Sequence, residues 1–67
     1  MKDNIKVDGH KGTWYVIDTT YYKSKKVYLL EHEIYGDEAA SIIIDEDKNI
    51  IMEDVYNGFS DLELLEG

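Results

Sequence analysis

The chain has 67 residues, of which 43% are hydrophobic and 33% charged, and it contains no cysteine and no proline. This predicts one small domain over residues 1–67 with a marginal core, because a chain near this length buries only about 60% of its surface. The lack of cysteine excludes disulfides and thiolate metal sites. No apolar run is long enough to cross a membrane and the first residues lack the apolar segment of a signal peptide, which predicts a cytoplasmic protein.

The charge is strongly acidic and unevenly distributed. Seven lysines, no arginine and fifteen acids give a net charge of −8. Residues 1–26 hold six lysines and three acids, whereas residues 27–67 hold one lysine and twelve acids. Such a chain is repelled by nucleic acids and anionic lipids, so we expect neither direct nucleic-acid binding nor membrane binding. Two interpretations stay open: the charge serves solubility, or it attracts a protein partner with a basic surface.

Taken in chain order, the sequence is a run of short strands joined by polar turns. Five segments are rich in β-branched, aromatic or alternating apolar residues and predict strands: residues 5–8, 13–22, 27–34, 40–44 and 49–55. The connections are too short for parallel crossovers, which predicts antiparallel pairing of neighbours. In the loop at 45–48, Lys48 falls where a glycine would be preferred.

The C-terminal segment changes character and predicts a short helix over 61–66. Ser60 and Glu63 have the spacing of a capping box, and Phe59 and Leu64 that of a hydrophobic staple. The predicted fold is therefore mainly β: an antiparallel five-stranded meander, as a twisted sheet or small open barrel, with a short C-terminal helix.

The fourth and fifth strands are apolar on both faces, at residues 42–44 and 50–52. Two arrangements would bury both faces. The terminal helix and the N-terminal hairpin could cover one face each, or the sheet could close like a barrel or contact another chain.

Enzyme signatures are missing from the sequence. The serines lack a nucleophile-elbow context, and no glycine-rich phosphate loop precedes a helix. A substrate-sized pocket is also hard to build in a domain of this length. We therefore expect a protein that is not an enzyme.

A metal site is the alternative chemistry, and it depends on two histidines. His32 lies between Glu31 and Glu33, which point to the opposite face of a strand. If the second and third strands pair with position numbers summing to 50, Asp18 faces His32. The pair is then either a half-exposed ion pair or part of a zinc site completed by His10 or another acid.

The eight aromatic residues exceed what one small core can hold, so some tyrosines are expected on the surface. Tyrosine is a favoured anchor at protein interfaces. Acids cluster around 31–38 and 53–54, which predicts a continuous negative surface there. The candidate partner-binding residues are Glu31, Glu33, Tyr35, Asp37, Glu38, Glu53, Asp54 and Tyr56.

Four stretches carry a resemblance to a known family: WYVID at 14–18, YLLEHEIYGDEAA at 28–40, IIIDED at 42–47 and EDVYNGF at 53–59. Together they resemble a small domain family associated with large polyvalent proteins, over roughly residues 12–62. The resemblance implies a setting in phages and conjugative elements of Firmicutes, and hence in a bacterial host cell.

An acidic domain of this type also resembles small anti-CRISPR proteins that inhibit Cas9. That resemblance implies a protein that binds Cas9 through an acidic surface and blocks DNA engagement. Because some inhibitors of this sort bind metal, it also implies a possible zinc ligand in His32. The alternatives are an interaction module of mobile-element proteins and a small zinc-binding protein.

Overall fold

The computed structural model describes residues 4–36 and 38–65 and shows one antiparallel sheet with a C-terminal helix. The sheet follows chain order and curls into a half-barrel, which confirms the predicted five-stranded meander. The elements are β1 (Asn4–Ile5), β2 (Trp14–Tyr22), β3 (Lys25–His32), β4 (Ser41–Asp45), β5 (Ile50–Val55) and a 3₁₀ helix (Gly58–Leu65).

Apolar side chains pack on both faces of the sheet because alternate residues of a strand point to opposite sides. In β4, Ile42 and Ile44 face one cluster while Ile43 faces the other. The first cluster is covered from the N-terminal side and contains Val7, Trp14, Leu30, Ile42 and Ile44. The second is covered by the helix and contains Val27, Leu29, Ile43, Val55 and Leu62. The helix therefore covers one face, while the curl of the sheet together with Val7 from the N-terminal turn encloses the other.

The β2–β3 hairpin turns at Lys23 and Ser24, which have φ angles of 51° and 68°. Two positive φ angles are what a type I′ turn requires. This tight turn brings Lys25 and Lys26 into β3, opposite Tyr22 and Tyr21. The turn is therefore shorter than the gap at 23–26 that the predicted strands leave between them.

The predicted β2–β3 register is wrong as a consequence of this shorter turn. His32 pairs with Trp14, and Asp18 pairs with Leu29. The tighter turn shifts β3 by several residues along β2, so the proposed Asp18–His32 pair does not form. Ile17 is the extra residue of a β-bulge between Val16 and Asp18.

The β4–β5 hairpin is held by Asp45, whose side chain is buried. Its Oδ1 accepts the backbone N–H groups of Asp47 and Asn49, both at 2.9 Å. The N–H of Asn49 is the main cause that holds the pKa of Asp45 below its usual value, while burial acts against it. Lys48 has a φ angle of 65°, which confirms that a left-handed residue closes this loop.

The C-terminal helix differs from the prediction in type and in start. It is a 3₁₀ helix from Gly58, so Ser60 lies inside it rather than at its N-cap. Leu64 is 71% exposed, which rules out the staple with Phe59. Leu62 packs against the sheet instead.

Asp61 ties this helix to the end of β5. Its Oδ2 accepts the backbone N–H groups of Tyr56 at 2.9 Å and Asn57 at 3.2 Å, and its Oδ1 accepts the Asn57 side-chain amide at 3.1 Å. The N–H of Tyr56 is the first cause that holds the pKa of Asp61 below its usual value. The buried Asp61 carboxylate thus accepts hydrogen bonds from N–H groups that have no strand partner where the chain leaves the sheet.

The first and third strands differ most from the predicted ranges, and the other three differ by a single residue at one or both ends. The first strand is limited to Asn4–Ile5, and Val7 enters the core from a turn closed by a bond from the N–H of His10 to the carbonyl of Val7. The third strand ends at His32, because the chain folds back in a tight turn that pairs His32 with Gly36.

Candidate functional site

A half-open pocket of about 170 Å³ lies where β3 leaves the sheet. Two carboxylates and two tyrosines contribute to its wall, and within the described part of the chain no lysine does. The lining residues are Tyr15, Ile17, Glu31, His32, Glu33, Ile34, Tyr35 and Gly36. We call this set the β3-end pocket.

The two acids of the pocket are placed by the β2–β3 ladder. Tyr15 lies directly across from Glu31 in the register. The ladder continues past β3, because the N–H of Glu33 donates to the carbonyl of Thr13 at 2.9 Å. Glu31 lies in β3 and Glu33 is the first residue of the turn that follows, and both line the pocket.

His32 supports the turn that carries the rest of the pocket. Its Nδ1 accepts the backbone N–H of Ile34 at 3.1 Å, with the N–H of Tyr35 at 3.5 Å. Its ring also lies 5.0 Å from the rings of Trp14 and of Tyr35, edge-on to the first and tilted to the second. The imidazole therefore links the buried Trp14 to the tyrosine at the pocket wall.

Two glycines make room for side chains of the pocket. Gly12 has a φ angle of 90°, and the His32 imidazole lies against it so closely that a Cβ at this position would clash with Nε2. Gly36 has a φ angle of 52°, and a Cβ there would lie 2.9 Å from Oε1 of Glu31. Gly12 combines a left-handed backbone with a close ring contact, whereas at Gly36 the left-handed backbone is the main constraint because the Glu31 carboxylate is the end of a flexible side chain.

The apolar side chains of the pocket are exposed. Ile34 is 74% exposed, Tyr35 57% and Ile17 43%. Ile17 is placed at the pocket by the β2 bulge, which re-aims a side chain at the edge of a sheet. Two acids thus meet exposed aromatic and aliphatic side chains on one surface, and aromatic residues are enriched at protein interfaces.

Three of the predicted partner-binding residues, Glu31, Glu33 and Tyr35, are brought together in this pocket. Glu38 is exposed in the following turn, and its N–H donates to the carbonyl of Tyr35 at 2.9 Å. Asp37 lies outside the described residues.

The remaining predicted residues follow β5 rather than β3. Glu53 bonds His10 at 3.0 Å, and the His10 ring lies 6.0 Å from Trp14, on the face of the first core cluster. Glu31 follows Leu30 of that same cluster and so points to the opposite face. Asp54 and Tyr56 are exposed, Tyr56 by 77%. Glu31 and Glu53 therefore do not share one surface.

The three predicted zinc ligands are not assembled. His10 is paired with Glu53, while the Nδ1 of His32 faces the backbone of its own turn. Asp18 instead accepts the N–H of its neighbour Thr19 at 2.8 Å. Over residues 4–36 and 38–65, no group of three or more histidine and acidic side chains is placed to hold a metal ion.

Sequence comparison identifies the family of the chain. Residues 1–66 match the family model described as large polyvalent protein-associated domain 18. The chain belongs to this family. The match includes every residue of the β3-end pocket, so the pocket is part of the domain 18 fold as this chain builds it.

Two further comparisons, with curated proteins and with solved structures, find no similar protein for this domain 18 chain. Neither a curated protein nor a solved structure matches it. In the described part of the chain, none of the helices has the length and apolar character needed to cross a membrane. The family assignment therefore rests on the match over residues 1–66.

Proposed function

We propose that this domain is a non-enzymatic protein-interaction module that binds a partner with a basic surface through the β3-end pocket. The observation that carries the proposal is the meeting of Glu31, Glu33 and the half-exposed Tyr35 in one pocket. Carboxylates at the rim steer a basic partner and fix its register, and an exposed tyrosine supplies buried area on binding.

The charge of the chain supports a basic partner. Twelve of the fifteen acids and only one of the seven lysines lie in residues 27–67, which include β3 and the turn after it. A field of one sign raises the association rate with an oppositely charged protein and is weakened by salt. Binding that depends on this field is expected to fall steeply as the ionic strength rises.

Cas9 is the partner that we propose to test first. Cas9 holds its guide and target in a positively charged channel, and the sequence resemblance to Cas9 inhibitors supports a partner of this kind. Docking of the pocket surface on that channel would block DNA engagement. The domain would then act as an anti-CRISPR inhibitor.

Family membership favours a second candidate. A domain associated with large polyvalent proteins can serve as a docking module for other parts of the same mobile-element system. The pocket would have the same role in this case, and the basic surface would belong to a protein other than Cas9.

The test is a binding assay between the immobilised chain and purified guide-loaded Cas9 at low and at high salt, combined with a DNA-cleavage assay. Retention at low salt, its loss at high salt and inhibition of cleavage would support the Cas9 proposal. Absence of retention at low salt would refute it. The same assay with a lysate that lacks Cas9 then tests the docking-module candidate, through basic proteins whose retention requires Glu31 and Glu33.

A further inference from the structure

The size of the β3-end pocket restricts what can occupy it. Its volume of about 170 Å³ corresponds to about five or six water molecules at roughly 30 Å³ each. Pockets for small-molecule ligands are larger, at about 300–1,000 Å³. The pocket therefore fits one amino-acid side chain better than a metabolite.

The charge of the pocket restricts the occupant to a cation. Glu31 and Glu33 are two acidic residues in the wall of the same pocket. A neutral or acidic side chain that enters would leave these carboxylates unpaired where the partner excludes water, which is costly. A lysine or an arginine side chain removes that cost.

The aromatic wall distinguishes between the two cations. Tyr35 is held by its ring contact with His32 at 5.0 Å, and more than half of its surface is open to a partner. A guanidinium stacks on such a ring and donates two parallel hydrogen bonds to a carboxylate, whereas an ammonium acts as a point charge. Tyrosine beside a carboxylate therefore favours arginine.

We propose, as a deepening of the interaction function above, that the β3-end pocket receives a single arginine side chain of the partner protein. The guanidinium stacks on Tyr35 and pairs with Glu31 and Glu33. The 67 residues contain no arginine, so a second copy of this sequence cannot supply the side chain. The arginine therefore comes from outside these 67 residues.

The probe is a set of three capped pentapeptides, Gly-Ser-X-Ser-Gly, in which X is arginine, lysine or citrulline. Citrulline has the shape of arginine without the charge. Each peptide is titrated to about 10 mM, because a single ion-paired side chain is expected to bind with a millimolar Kd. Binding is followed by amide chemical shifts of the ¹⁵N-labelled chain.

We expect the arginine peptide to shift the amides of residues 31–36 in a saturable way and to bind about tenfold more tightly than the lysine peptide, as a second charge-assisted hydrogen bond allows. Citrulline should leave those amides unchanged. Equal affinity for lysine and arginine would overturn the proposal, as would the absence of shifts, or shifts of equal size at the acidic loop 45–47.

Matched variants separate the pocket from the overall charge. Tyr35→Ala and Glu31→Gln should weaken arginine binding at least threefold, about 0.65 kcal/mol. Tyr21→Ala and Glu46→Gln remove an exposed tyrosine and an exposed acid elsewhere on the surface. These two control variants should bind the arginine peptide as the wild type does. Equal effects of the two pairs would overturn the proposal.

The outcomes also separate this inference from the proposed function. If Cas9 or another basic protein needs Glu31 and Glu33 but the peptides show no arginine preference, the interaction function stands and the arginine assignment falls. If the arginine peptide binds the pocket but no basic protein requires it, the binding chemistry stands and the proposed function falls.

Discussion

The imidazole of His32 lies directly against the backbone of Gly12, while its Nδ1 faces the N–H groups of Ile34 and Tyr35. One ring thus joins the loop before β2 to the turn after β3. The β3-end pocket owes its shape to this contact, because Tyr35 and Ile34 are carried by the turn that the ring supports.

A methyl group at position 12 is predicted to disturb this contact. Gly12→Ala should lower the free energy of unfolding by about 2–4 kcal/mol, because it combines a left-handed backbone with a steric clash. Gly9 is the control: its φ angle is 84°, and nothing lies within 4 Å of a Cβ there. Gly9→Ala should therefore cost only about 1 kcal/mol. If urea unfolding shows that Gly12→Ala and Gly9→Ala lower the free energy of unfolding equally, His32 does not press on Gly12.

The acceptor role of His32 can be separated from its ring contacts. His32→Phe keeps a ring beside Trp14 and Tyr35 but removes Nδ1, so amide exchange at Ile34 should become about fivefold faster. His32→Asn removes the ring, but its Oδ1 can take the place of Nδ1 and should restore protection at Ile34. Hydrogen exchange followed by NMR measures both. Unchanged exchange in the phenylalanine variant would argue against the Nδ1 bond.

The loop between β4 and β5 is predicted to gain stability from glycine. Lys48 has a φ angle of 65°, in the left-handed region that disfavours residues with a Cβ. Lys48→Gly should raise the free energy of unfolding by about 1 kcal/mol. Lys48→Ala removes the same charge but keeps the Cβ, and should give no such gain. Thermal unfolding of the two variants decides between backbone strain and charge.

Two buried carboxylates are predicted to make the fold sensitive to acid. Hydrogen bonds hold the pKa of Asp45 and of Asp61 below the usual value of 3.8. A lowered folded-state pKa stabilises the fold above the unfolded-state value, and this contribution is lost as the pH falls through the folded-state pKa. The free energy of unfolding should therefore drop as the pH is lowered from about 5 through 3.8 and below.

Replacing both carboxyls tests the origin of this pH dependence. The double variant Asp45→Asn/Asp61→Asn should be less stable at neutral pH and should lose less stability on acidification than the wild type. Glu46→Gln removes one exposed negative charge and should keep the wild-type slope. A double variant with the wild-type slope between pH 5 and 2 would place the acid sensitivity elsewhere.

Much of the fold follows from local patterns in the sequence. Three consecutive isoleucines, Ile42, Ile43 and Ile44, predict a strand buried on both faces. In the structure these side chains divide between the two core clusters. The β2–β3 register does not follow, because Lys23 and Ser24 are not the residues that usually form a type I′ turn. Their lysine-rich context also favours a longer loop. A longer loop predicts another register, in which His32 does not pair with its observed partner Trp14.

The candidate site was predictable only where its residues are neighbours in sequence. Glu31, Glu33 and Tyr35 recur at every second position and end in the pocket together. Tyr15 lies at the pocket because the β2–β3 register pairs it with Glu31, and Ile17 because it is the extra residue of the bulge. The sequence pattern specifies neither feature. Gly36 has a signal in the sequence, since a glycine followed by an aspartate is typical of a turn.

The central claim is that the pocket, rather than the overall negative charge, binds the partner. Calorimetry compares the binding of Cas9 to the wild type, to Glu31→Gln/Glu33→Gln and to Glu46→Gln/Glu63→Gln. The two variants have equal net charge, and the control acids are exposed outside the pocket. We predict that the pocket variant binds at least about tenfold more weakly, while the control changes less than about threefold. Equal weakening in both variants, or no measurable binding of the wild type, would contradict the account.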